Sequence, residues 1–266
     1  FYVATAANQK TATGKNKYVG KQLKNIDKNL ATYQTIYQEA KKDYHTAKKS
    51  VNHAKSKDKG KQKIIDAIKK YTSEKKAIPA DLLEQAATVS EKFALSCKKY
   101  NEALEAMEAA KETYDLYEQT SQTQKASLAL EKLSNIEKAY SNQQSKYTQR
   151  EETINHTMQL NQAKGNRTST NYYQNLIDNE ENILESNKKK RDALVQSLAE
   201  SVKNGEIEEG SDAWYEAMAT IDDITTAIDA STLSLAEYNN QLRQVKWDNF
   251  DYLQDQIRSV TSELDF

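Results

Sequence analysis

Residues 19–54 read VGKQLKNIDKNLATYQTIYQEAKKDYHTAKKSVNHA. The apolar positions are Val19, Leu23, Ile26, Leu30, Tyr33, Tyr37, Ala40, Tyr44, Ala47, Val51 and Ala54, spaced alternately by four and three. That spacing, held for about five repeats, is the signature of an α-helix packed lengthwise against another helix. Ala and Tyr fill many seam positions where Leu or Ile would pack better, so the spacing predicts a pairing of modest stability or one completed by a third helix. The reading sets the fold class: all-α, elongated, long helices with heptad-type seams arranged as coiled coils and helical hairpins.

Working outward, composition agrees. The chain has 266 residues with 6 Gly, 1 Pro and 1 Cys, too few breakers for a turn-dense all-β fold. The lone Cys97 excludes a disulfide framework and a thiolate zinc site, and reads as a small core residue. Hydrophobic residues make up 37%, below the ordinary globular share, so a thin seam is expected in place of a large core. No run of about 18 apolar residues is present, and no membrane span is expected. Phe1 is not an initiator Met, and the apolar period is still running at Phe266; we read the chain as a segment of a longer protein.

Segment boundaries follow from breakers. Residues 1–14 form a polar lead-in. Residues 15–78 form a basic helical segment with a break near 55–61, where lysines repel one another and Gly60 interrupts. Ile78-Pro79 ends the short helix that carries Ile64, Ile65 and Ile68. Residues 79–164 contain no Gly, and their seam includes Phe93, Leu104, Met107, Leu133 and Ile136. The polar run 119–127 makes them either one long helix or a hairpin with its turn there. Residues 168–266 are expected to form an antiparallel hairpin whose loop spans 204–210, with Ser211 as N-cap. Its seam includes Leu194, Leu198, Ile221, Ile228, Leu242 and Phe250, and its bend is built from Gly205, Ile207, Gly210, Ser211 and Trp214.

Charge is unevenly placed. Residues 1–76 hold 19 Lys, no Arg and 6 acidic residues, a net of +13, against −14 over 77–266. Such a split marks the basic half as a candidate surface for DNA or another polyanion. The absence of Arg removes bidentate phosphate and base contacts and favours a solvated lysine-rich helix. His45, His53 and His156 are too far apart in sequence to share a metal on one helix face, and no phosphate-binding glycine loop occurs. No residue is assigned a catalytic, cofactor-binding or metal-binding role, and no cofactor is expected.

The second half carries more specific patterns. These are Tyr172-Tyr173-x-x-Leu176-Ile177-x-x-Glu180, then Gly205-Glu-Ile207-Glu-Glu-Gly210-Ser211-Asp-Ala-Trp214-Tyr215-Glu216-Ala-Met218, then Lys246-Trp247-Asp248-Asn249-Phe250-Asp251 and Asp255-Gln256-Ile257, closing at Ser262–Phe266. Residues 133–266 resemble the helical repeat region of tail tape measure proteins of bacteriophages and prophages of Gram-positive bacteria. Gln256 departs from the pattern, which has Arg there, and residues 1–76 share only helicity with it. The resemblance implies a structural, non-enzymatic segment in the lumen of the tail tube. It implies that protein length sets tail length during assembly and that the protein leaves ahead of the DNA at genome ejection. Its implied partners are further copies of itself, as a trimer, the tail tube protein, tail assembly chaperones and distal tail or baseplate proteins. Its implied locations are the virion and, during assembly, the host cytoplasm. Composition and heptads fit equally a helical surface adhesin or stalk of a bacterium. A helical pore-forming protein would need a long apolar hairpin, and a peptidoglycan-cutting enzyme would need catalytic residues; the sequence offers neither.

Overall fold

A computed structural model describes the backbone of residues 2–264 and the side chains of residues 14–261. Among these residues the fold is all-α, without strands. The helices are α1 (Tyr2–Asn52), α2 (Lys59–Ser73), α3 (Ala80–Val89), α4 (Glu91–Ala163), α5 (Thr170–Lys203) and α6 (Asp212–Leu264). They divide into a contiguous unit, Gln22–Gln124, and a discontinuous unit, Phe1–Lys21 with Lys125–Phe266.

In the contiguous unit α1 and α4 run antiparallel. Their seam tyrosines meet in descending order: Tyr33 with Tyr117 (ring centroids 4.8 Å), Tyr37 with Tyr114 (6.1 Å) and Tyr44 with Tyr100 (5.7 Å). Broad rings thus fill the gap that small seam residues leave between the helices. The core lies at one end, where Tyr44 and Val51 of α1 and Phe93, Cys97, Tyr100 and Leu104 of α4 pack with Ile65, Ile68, Ile78 and Ala86. The segment joining α2 to α3 is held by one amide. The Asn101 side chain accepts from the Ile78 N–H and donates to the Ile78 carbonyl, both at 2.8 Å, so a buried loop residue has both backbone groups satisfied.

The break between α1 and α2 covers residues 53–58, and Gly60 lies inside the first turn of α2. What sets the boundary is Asp58, whose carboxylate accepts the Gly60 and Lys61 N–H groups at 2.7 and 3.1 Å. Those backbone bonds hold its carboxyl below the usual aspartate value. Lys69 Nζ closes the break from the other side by donating to the Ala54 carbonyl at 2.7 Å.

Two features of the first half go beyond what residue spacing sets. The lead-in 1–14 is helical from Tyr2, although the side chains of 1–13 lie outside the described residues. Within 79–164 the interruption is at Ser90, which is extended (φ −170°, ψ 151°) and whose hydroxyl accepts the Phe93 N–H at 3.1 Å. A serine cap stops α3 and starts α4 where no glycine or proline marks the place. The polar run 119–127 stays helical, the one-helix alternative at that place, because Gln, Lys and Ala are good helix formers and no Gly or Pro intervenes.

In the discontinuous unit the second part of α4 runs antiparallel to α5. Tyr172 donates to Asn155 Oδ1 (2.8 Å), Asn179 Nδ2 to the Tyr147 carbonyl (3.0 Å) and Lys190 Nζ to Glu137 Oε1 (3.3 Å). α6 folds back on α5, and Ala129, Leu133, Leu194, Leu198, Ile207, Ala217, Ile221, Ile224 and Ile228 make one core. From the N-terminal part of α1, Val19 is fully buried and Asn16 pairs with Asn135 at 3.1 Å.

Candidate functional site: the hairpin bend and the helix seams

The bend between α5 and α6 is built from backbone upward. Gly205 takes a left-handed φ of 67°, its N–H bonds the Val202 carbonyl at 3.0 Å, and the Glu206 N–H bonds the Ser201 carbonyl at 2.8 Å. This pair of bonds is the Schellman closure, which needs a residue without a Cβ penalty at the left-handed position. Gly210 takes φ 81°, and Ser211 Oγ then accepts the Trp214 N–H at 3.3 Å to open α6. Between them Ile207 points inward at 1% exposure, with Trp214 half-buried beside the same core.

A polar network lies under the bend. Ser201 donates to a Glu206 carboxylate oxygen at 2.8 Å, and Lys132 Nζ from α4 reaches the same oxygen at 3.4 Å. The Lys132–Glu206 pair is largely buried, so its members depend on each other: removal of one strands a charge away from water.

The seam residues named from sequence are distributed as follows. Leu23, Leu104, Leu194, Leu198, Ile221, Ile228 and Leu242 are buried, whereas Ile26, Leu30, Tyr33, Tyr37 and Met107 are half-buried. Phe250 is corrected: it is exposed, since it lies eight residues after Leu242 and the three-four spacing continues instead through the half-buried Val245 and Asn249. Ser169 precedes α5 without a side-chain cap bond. The closing residues Ser262–Phe266 lie outside the described side chains.

Sequence reasoning missed the polar members of the seams. Asn179, Glu180, Asn187, Lys190, Ser197 and Ser201 are all buried on α5. The signal was available: positions 187, 190, 194, 197 and 201 keep the three-four spacing, but only Leu194 among them is apolar. Glu180 is the buried carboxyl among them. Burial raises its carboxyl above the usual glutamate value, a Ser231 hydrogen bond partly offsets this, and the nearby Glu151 raises it further. Tyr238 from α6 faces the same region and is raised by burial and then by Glu151 and Glu180. Asn179 Oδ1 and Asn187 Nδ2 have no hydrogen-bond partner among the described residues.

Two open clefts accompany the seams. One of about 760 Å³ runs between α1 and α4 over Ala40, Ala47, Ala103 and Ala106, where small side chains leave room. One of about 560 Å³ lies at the α4–α5 turn, beside Arg150, Arg167 and Tyr172. Among the described residues no group of three or more His, Cys, Asp or Glu side chains could hold a metal ion, and no helix is long and apolar enough to cross a membrane. The buried polar contacts that are made, Asn179 to the Tyr147 carbonyl and Lys190 to Glu137, belong to this alignment and would be broken by a slip of one turn. No family model, curated protein or solved structure matches the chain.

Proposed function

We propose that the chain is a structural segment of a bacteriophage tail tape measure protein. In this reading it fills the tail tube lumen, sets tail length during assembly and is released ahead of the DNA at ejection. The observation that carries the proposal is the hairpin sequence Gly205–Trp214 placed between two long seamed helices, α5 and α6. An α-helix has a fixed rise per residue, so long helices supply a measure of length. Seams in which Ser, Asn and Lys interrupt Leu and Ile, as on α5, bury less apolar area per turn than all-Leu ones, so helices held this way separate more readily. That suits a protein that must leave a narrow tube. The partners in this reading are further copies of the chain, the tail tube protein, assembly chaperones and distal tail proteins.

The test is genetic and morphological. In-frame deletions of whole heptads from the parent gene within this region should shorten tails, measured on virions by electron microscopy. The shortening is bounded above by about 1.5 Å per residue removed. Tails of unchanged length on infectious particles would overturn the proposal.

A further inference from the structure

α6 extends past the helix it packs on. Its seam runs through Ile228, Ser231, Leu235, Tyr238 and Leu242, all buried or half-buried. Arg167, just ahead of α5, stacks its guanidinium 3.8 Å over the Tyr252 ring. Around and beyond that contact, Phe250, Leu253, Ile257 and Val260 stand more than half exposed, spaced three, four and three. Trp247, also mostly exposed, lies edge-on to Phe250.

We propose that this face is a pairing surface for a second copy of the chain, helix against helix. The spacing is that of a helix packed along another helix, not of a helix laid on a broad surface. Within 249–261 the positions flanking the stripe are Asn249, Gln254, Gln256 and Thr261, all uncharged, whereas Asp251, Asp255 and Arg258 lie away from it. Charged flanks select a partner of opposite charge; neutral flanks leave two identical helices without repulsion. The exposed side chains offer on the order of 600 Å² per copy, enough for two copies to pass the ~1,000 Å² of a specific contact. The stripe lies one residue out of phase with the intramolecular seam, which continues through Val245 and Asn249, so a second helix can occupy it without displacing α5. The inference gives the self-association in the proposed function a location, and it rests on that reading only for its biological setting.

Sedimentation of the whole 266-residue chain from low micromolar to near-millimolar concentration tests it. The expected result is a rise in mass from one chain to two or more. The double variant Leu253→Asp with Ile257→Asp should stay at the mass of one chain over the same range, with unchanged helicity by circular dichroism. Leu233→Asp, at another exposed position on α6, should associate like the parent. A parent chain of single mass throughout, or a double variant that associates equally, overturns the inference. Tail length in virions is a separate readout, so failure of pairing and failure of the tape measure reading are distinguishable.

Discussion

At the scale of single residues the informative positions are those where local geometry and residue type disagree. Lys75 has φ 55° and occupies the left-handed position that closes α2, with the Lys76 N–H bonded to the Tyr71 carbonyl at 3.0 Å. Gly165 and Gly205 do the same work for α4 and α5 without a Cβ. Lys75→Gly should therefore stabilise the chain by ~0.5–1 kcal/mol, read as a higher urea midpoint at unchanged slope. Asn101 presents the opposite case, a surface-type residue with a structural duty. Asn101→Ala leaves the buried N–H and carbonyl of Ile78 without partners, and a loss of about 2–4 kcal/mol is expected from two such groups. Urea unfolding of the variant checks it; a loss below half a kcal/mol, on the scale of ordinary surface substitutions, would mean that water replaces the amide.

At the scale of elements, the seams follow from the distribution of apolar residues and the boundaries do not. The alternation at Val19–Ala54 needs only side-chain size and spacing to read, and each of those positions is buried or half-buried, all but Ala54 on α1. The hairpin bend is legible for the same reason, since glycine at a left-handed position leaves a mark in composition. Ser90 and Asp58 leave none: a cap is a hydrogen bond made by a common polar residue, and its effect depends on the chain around it. The polar layer of α5 escaped because burial was inferred from apolarity, whereas here Asn, Ser, Glu and Lys are buried by their neighbours. Two predictions belong at this scale. Ile207→Ala removes the side chain that plugs the bend and should cost about 2–5 kcal/mol in urea unfolding. Glu180→Gln should act in the other direction. A carboxyl raised in the folded state binds its proton more tightly there than in the unfolded chain, so its charge destabilises at neutral pH. The penalty fades as pH falls through the raised folded value toward the ordinary one. Glu180→Gln should therefore be more stable than the parent at pH 7, with the difference shrinking at pH 4. Equal differences at both pH values would show that the carboxyl is not penalised by burial.

For the whole molecule the question is whether its two cores unfold separately, and Cys97 is the natural probe. Its thiol is fully buried in the contiguous unit, and burial pushes its pKa up to about 11. In the native chain it is protonated and shielded, so a thiol reagent at mildly alkaline pH reports only on molecules in which that core has opened. The sign is fixed by linkage. The unfolded thiol ionises near 9.0 and the folded one near 11, so this group's stabilising contribution is present below the lower value and lost as pH rises through the higher. Labelling should therefore be compared at a pH held below 9.0. Asn101→Ala acts on the Cys97 core and should speed labelling by roughly tenfold for each 1.4 kcal/mol lost. Ile207→Ala acts on the other core, whose residues share no member with the first. If the cores open independently, Ile207→Ala lowers the overall urea midpoint of its own transition and leaves the Cys97 rate as in the parent chain. Equal acceleration by both variants would instead mean that α4, which contributes side chains to each core, transmits unfolding along its length and makes the chain a single cooperative unit.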